Sequence, residues 1–180
     1  WEASADPLNA ATPPFTGNET CEVAVIGGGF TGLSAALELA QQGVEVRLLE
    51  AGHIGWGASG RNGGFACIGS HKLSYTSMIA TFSLEATRAF FRNMREAVDL
   101  VRDNLDHHGI DAWASASGEV TLAHLPGRVE ELRAEQDFLK HTFGEDAEFL
   151  SPRDPEAQGL PRPAFPAGPK PPAGFGLHPL

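Results

Sequence analysis

Cysteine is scarce in this chain: Cys21 and Cys67 are the only two, and they match neither a metal-ligand spacing nor a C-x-x-C pair. That excludes a disulfide framework and leaves two reduced thiols, as expected of a cytoplasmic protein. Basic residues are in deficit, with 13 Lys and Arg against 23 Asp and Glu and a formal net charge of -10. Nucleic acid is therefore not an expected partner, because phosphate backbones are bound by clustered Lys and Arg. A phosphate held here needs backbone N–H donors instead. No apolar run approaches membrane length, and the first 20 residues carry Glu2, Asp6, Glu19 and several prolines rather than a basic start before an apolar stretch. No membrane and no targeting segment is expected. An internal repeat and an initiating Met are also absent, and a start at Trp1 leads us to expect a portion of a longer protein.

Glycine and proline, by contrast, are unevenly concentrated. The 180 residues, 42% hydrophobic, suffice for one domain with a real core. Residues 1–20, with Pro7, Pro13 and Pro14, read as an extended lead-in. The run "EVAVI" from Glu22 then predicts a strand, "FTGLSAALELAQQG" a helix stopped at Gly43, and "VEVRLLE" a second strand. Strand, tight turn, helix and strand within about thirty residues make one parallel crossover unit. Helical spacing from Met78 to His108, ended by Gly109, predicts one long helix or two. "AWASASGEVTLAHL" predicts a hairpin turning at Ser117-Gly118, and Pro126 to Gly144 another helix. "AEFL" at 147–150 reads as a strand. From Pro152 on, nine of 29 residues are proline, which predicts that no ladder or helix runs through 151–180.

Gly27, Gly29 and Gly32 form G-x-G-x-x-G between the first strand and its helix, and Glu50 ends the second strand. In that context the glycines permit a tight turn, close approach to a pyrophosphate and tight helix–strand packing. The helix N-terminus offers N–H donors and its positive dipole end to the phosphates. Glu50 suits the hydroxyls of an adenosine ribose and repels a 2′-phosphate, which argues against NADP. A turn without ligand has the same spacing, and FAD and NAD fit it equally. The second glycine-rich stretch, "GWGASGRNGG" at 55–64, separates them: such a loop can run along a flavin nucleotide, with Ser59 and Asn62 as hydrogen-bonding groups and Arg61 offsetting charge on phosphate or reduced flavin. The alternative is a mobile surface loop.

These residues together resemble the N-terminal part of FAD-dependent amine and amino-acid oxidoreductases of the D-amino acid oxidase superfamily, most closely the gamma-glutamylputrescine oxidoreductase-like branch. The resemblance is strongest over 20–75 and continues more loosely through "SGEVTLAHLPGRVEELRAEQDFL". It implies an α/β, Rossmann-like FAD-binding domain, partial in this chain, with the beginning of a substrate domain. It places Gly27, Gly29, Phe30, Thr31 and Gly32 at the FAD pyrophosphate, Glu50 and Ala51 at the adenosine ribose, and Ala58, Ser59, Arg61, Asn62, Gly63 and Gly64 along the flavin side. Some relatives attach flavin through a loop histidine; Arg61-Asn62 stand at that place here, which implies non-covalent FAD. The implied reaction is oxidation of a C–H bond beside the nitrogen of an amine or amino acid, the small-molecule substrate of the full-length protein.

Family members run to about twice this length or more, so the 180 residues alone are expected to be inactive. A non-catalytic nucleotide-binding fragment and an NAD-dependent dehydrogenase domain are the alternatives. The expected division is a lead-in over 1–20, an FAD-binding domain over 21–150 with a helical and hairpin excursion, and a proline-rich 151–180. No residue is singled out as a general base. His107-His108 at a helix end could suggest a metal, but without partners at ligand spacing they read as a favourable charge at a helix C-terminus, and no metal is expected. Phe90, Phe91 and Met94 read as helix core.

Overall fold

A computed structural model describes residues 1, 3–4, 14–69, 72–115, 118–123, 125–150, 169–170 and 173–180, apart from the side chains of Pro126, Pro169 and Lys170. These residues form two compact units, one from Trp1–Gly64 with His178–Leu180 and the other from Phe65–Leu177.

The first unit holds the expected crossover. β1 (Val23–Ile26) leads to α1 (Phe30–Gln41) and back to β2 (Val46–Leu49). The strands pair in parallel, from Val23 opposite Val46 to Ile26 opposite Leu49. The helix stops where the sequence predicts: Gly43 takes φ +82°, its N–H donates to Ala40 O, and the Val44 N–H donates back to Leu39 O. Val25 packs under the first turn of α1, its Cγ1 3.3 Å from where a Cβ on Gly32 would sit.

The second unit is built on helices. Its α-helices among the described residues are α2 (Tyr75–Phe82), α3 (Leu84–His108) and α4 (Val129–Phe143). The helical stretch before Gly109 is thus two helices, separated at Ser83, whose φ of +99° interrupts the ladder. The break is stabilised locally, because Ser83 Oγ accepts from Ala86 N at 3.2 Å while its carbonyl accepts from the Thr87 N–H and hydroxyl. Both longer helices end on left-handed glycines, Gly109 and Gly144. Phe91 is buried and stacks on Phe143 at 4.4 Å between ring centroids, with Tyr75 4.8 Å from Phe143. Burial, aided by nearby Glu135 and Glu145, pushes the Tyr75 phenol up to about 12.

Two expectations are corrected. The hairpin over 112–125 is absent among the described residues, which carry no strand between Asp111 and Ala123; Ser117 at its turn lies outside them. The N–H of Ser115 donates instead to Gly176 O at 2.9 Å, and Gly176 N donates to Ser115 Oγ at 3.0 Å. Strand-like composition did not name the partner, and a segment 61 residues away supplied it. Within the proline-rich 151–180, residues 169–170 and 175–176 do enter ladders. β3 (Phe65–Ala66) pairs antiparallel with β6 (Phe175–Gly176), and β4 (Glu148–Phe149) with β5 (Pro169–Lys170). Two-residue pairings of this kind tolerate proline, because a strand with a free edge need not use every N–H.

Glu145 is 2% exposed, bonds Arg95 Nη1 through Oε2 at 2.5 Å, and leaves Oε1 without a partner. Removing the cation strands a buried charge, so Arg95→Met should lower unfolding free energy by about 2–4 kcal/mol. Adding Glu145→Leu should return most of that loss, as read by urea denaturation; equal losses in the single and double variants would contradict the assignment.

Candidate cofactor-binding site

The turn between β1 and α1 is shaped by close backbone approach. Gly27 adopts φ +107° and donates its N–H to Leu49 O at 2.8 Å, which ties the turn to the end of β2. A Cβ on Gly32 would strike the Gly27 carbonyl oxygen, so helix and turn meet at a distance only glycine permits. α1 begins after an extended Gly29 and has no acidic residue in its first turn. The positive end of its dipole is therefore left for an external anion.

Glu50 closes the side of the turn. Its Oε2 accepts from Gly28 N at 2.7 Å and its Oε1 from Gly52 N at 2.8 Å. These two bonds, that from Gly28 foremost, hold the Glu50 carboxyl below its ordinary value of 4.5. Each carboxylate oxygen keeps a further lone-pair site with which to accept a hydroxyl.

The second glycine-rich segment lies against the first. Gly55 N donates to Gly28 O at 3.0 Å, and Ser59 Oγ, on a 3-10 turn over Ala58–Gly60, accepts from Phe30 N at 2.9 Å. Ser59 thus caps the helix whose own cap residue has no side chain. Asn62 shapes the rest of the loop: Nδ2 donates to Ser59 O at 2.7 Å and Ala58 O at 3.3 Å, while Oδ1 accepts from Gly64 N at 2.8 Å. The Arg61 guanidinium carbon stands 4.8 Å from the centroid of the Trp56 ring.

Of the residues singled out by sequence, Gly27, Gly29, Phe30, Thr31, Gly32, Glu50, Ala51, Ala58 and Ser59 gather at the carboxyl ends of the parallel strands, where open α/β sheets bind ligands. Arg61, Asn62, Gly63 and Gly64 continue along the loop. Sequence reasoning passed over Gly28, Gly52 and Trp56. Gly28 joins all three segments, donating to Glu50 and accepting from Gly55. The only signal was the middle glycine of "GGG". His107 and His108 occupy the last turn of α3, their rings edge to face at 4.7 Å. Among the described residues no three His, Cys, Asp or Glu side chains gather as a metal set.

Strand, glycine turn, a helix start without an acidic residue and an acidic strand end define a dinucleotide-binding unit of the Rossmann type. The chain belongs to the FAD dependent oxidoreductase family, whose model matches residues 22–174. It is 40% identical to gamma-glutamylputrescine oxidoreductase of Escherichia coli K12 over 105 residues, which are 57% of this chain and 24% of that protein. Among solved structures it is similar to glycine oxidase from Bacillus cereus, with a TM-score of 0.60 at 22% identity over 88% of this chain and 40% of the other. It is likewise similar to L-amino acid deaminase from Proteus myxofaciens, with a TM-score of 0.64 at 21% identity over 88% and 33%. The chain thus spans less than half the length of each. FAD is the family's cofactor, and the turn fits it: an anion-ready helix start, backbone brought close by Gly32, and a carboxylate with acceptor capacity at the strand end.

Gly32→Ala should destabilise the first unit by about 3 kcal/mol, because the methyl group meets backbone rather than a movable side chain. Ser59→Ala should cost about 1 kcal/mol through loss of the Phe30 cap. Thermal unfolding checks both. The Glu50 bonds need the carboxylate, so they are intact above the unfolded-state value near 4.5 and are lost as pH falls through the lower folded value. Amide proton shifts of Gly28 and Gly52 should titrate together with a midpoint below 4.5, and neither titration should survive in Glu50→Gln.

Proposed function

We propose that this chain is the cofactor-binding part of an FAD-dependent oxidoreductase that acts on the CH–NH bond of an amine or amino acid. The observation that carries the reading is the joining of two glycine-rich segments into one wall, Gly55 to Gly28 and Ser59 to Phe30, with Glu50 at its side. A turn that needed only to connect β1 to α1 has no use for the second segment. The names of the relatives, one an oxidoreductase of a glutamylated polyamine and others acting on amino acids, support the substrate class.

In this reading Gly27, Gly29, Phe30, Thr31 and Gly32 border the pyrophosphate, which the helix dipole favours, and Glu50 beside Ala51 accepts the adenosine ribose hydroxyls. Ala58, Ser59, Arg61, Asn62, Gly63 and Gly64 line the remainder of the cofactor, which is held without a covalent bond. FAD, when bound, supplies the two-electron acceptor for a C–H bond beside an amine nitrogen, and the resulting imine hydrolyses in water. The chain's own residues bind and orient; none in the site is placed as a proton acceptor for substrate.

The division that goes with this reading is a lead-in over 1–20, an FAD-binding domain over 21–150 with its helical excursion, and a proline-rich 151–180, of which residues 169–170 and 175–176 pair in short ladders. Among the described residues no helix is long and apolar enough to cross a membrane. The acidic balance of the chain and two cysteines that are in no disulfide support a cytoplasmic place and a small-molecule partner rather than nucleic acid.

Titrating FAD into the protein should quench flavin fluorescence to a one-to-one end point. Absence of any change would overturn the FAD assignment. Anaerobic bleaching of the bound flavin by an added amine or amino acid would place the reaction in these residues, whereas flavin bound without bleaching favours a non-catalytic nucleotide-binding part.

A further inference from the structure

The end of α3 and the segment that follows it border an open cavity of about 520 Å³ within the second unit. Arg102, Leu105 and Asp106 line it from the helix, Ile110 and Ala112 from the turn beyond Gly109, and Phe175 from β6. That volume lies in the range of small-molecule sites. Its charges stand apart rather than pairing. Arg102 and Asp106 are four residues apart on α3, the spacing at which opposite charges ordinarily meet, yet among the described residues neither side chain makes an ion pair or hydrogen bond. The Arg102 guanidinium carbon stands instead 4.9 Å from the centroid of the Phe175 ring, and Phe175 is only 6% exposed. A buried ring thus holds the cation by its face and leaves its N–H donors unspent. Asp106 is in the last turn of α3, where the negative end of the helix dipole disfavours a carboxylate and adds to its pull on a cation. The segment beyond the helix is held in an unusual backbone. Trp113 has φ +50°, a left-handed conformation that a bulky residue seldom adopts, and its N–H donates to Asp111 Oδ1 at 3.1 Å. Strain of this kind collects at ligand sites, and here it shapes the segment that brings Ile110 and Ala112 to the cavity.

We propose that this cavity binds one free amino acid with an apolar side chain, its carboxylate on Arg102 and its ammonium on Asp106. A guanidinium edge takes a carboxylate through two parallel hydrogen bonds, while Asp106, with the helix end behind it, takes the ammonium. Leu105, Ile110, Ala112 and Phe175 supply apolar surface for the side chain. A plain organic anion fits less well, because Asp106 and Asp111 outnumber the one cation that lines the cavity. A plain amine leaves Arg102 unmet. Only a ligand that carries both charges close together answers a helix face whose own two charges do not pair. None of the residues assigned to the cofactor lines this cavity, so the proposal stands apart from the FAD reading.

Amide shifts of the 180-residue chain, followed by nuclear magnetic resonance without FAD, test the site with three probes. These are L-leucine, 4-methylpentanoate, which lacks the ammonium, and 3-methylbutylamine, which lacks the carboxylate. L-Leucine should shift the amides of Arg102, Asp106, Ile110 and Ala112 along one saturation curve, leave Gly27 to Gly32 unmoved, and bind about tenfold more tightly than either other probe. Arg102→Gln should weaken L-leucine about tenfold, with Arg102→Lys recovering part of the loss because the charge returns. Asp106→Asn should weaken L-leucine about three- to fivefold and leave 4-methylpentanoate unchanged or tighter. The same spectra show whether α3 is intact in each variant, and Asp106→Asn, at an exposed position, keeps the comparison available if Arg102→Gln disturbs the packing of Phe175. No saturable shift with L-leucine up to about 20 mM, equal binding of the three probes, or an L-leucine affinity unchanged in Arg102→Gln would overturn the site. FAD takes no part in the titration, so failure of this site and failure of the cofactor reading are told apart.

Discussion

Two backbone N–H groups converge on one carboxylate: Gly28 donates to Oε2 of Glu50 and Gly52 to Oε1, at 2.7 and 2.8 Å. The rest of the site hangs on that convergence. Gly28 lies in the turn between β1 and α1, Gly52 in the turn after β2, and Glu50 links them across the open end of a two-stranded sheet. Gly28 in turn offers its carbonyl to Gly55, which brings the second glycine-rich segment alongside the first. A carboxylate that accepts two amide protons stays ionised to lower pH, so the element that organises the backbone is also negatively charged under ordinary conditions.

The electrostatic layout follows from this arrangement. Glu50 places negative charge at one side of the turn, while the start of α1 presents its positive dipole end with no acidic residue to cancel it. A ligand that matches the two must carry hydroxyls for the carboxylate and an anion for the helix, as a ribose followed by a pyrophosphate does. Ser59 takes only the Phe30 N–H among the first donors of the helix, which steadies the start of α1 without bringing a charge. The acidic balance of the whole chain makes such local donors necessary, since no basic cluster stands in for them.

Much of the first unit was legible because its signals are local. The alternation of "EVAVI", the helical spacing after Phe30 and the stop at Gly43 each depend on neighbours in the sequence, and each element formed within two residues of its expected bounds. The terminators Gly109 and Gly144 were legible for the same reason. Other features depended on partners the pattern does not name. Ser115 read as hairpin but bonded Gly176, and Pro169 in a region read as strand-free sits opposite Phe149. Ser83 broke a continuous helical pattern through a left-handed backbone that its own side chain and carbonyl support, a conformation no spacing rule favours in serine. In the site, glycine positions pointed to the turn, yet the bonds of Gly28 and the seat of Trp56 on Gly52 are tertiary contacts and became visible only with the fold.

The central claim is that two segments far apart in function of sequence, 27–32 and 55–60, form one surface for one ligand. Backbone amide shifts of the 180-residue chain, followed by nuclear magnetic resonance as FAD is added, test it most directly. The account predicts that Gly27 to Gly32 and Gly55 to Gly60 shift along a single saturation curve, with Gly52 joining them and the amides of α3 unmoved. Shifts confined to one segment, separate curves for the two, or a response centred on α3 would contradict it.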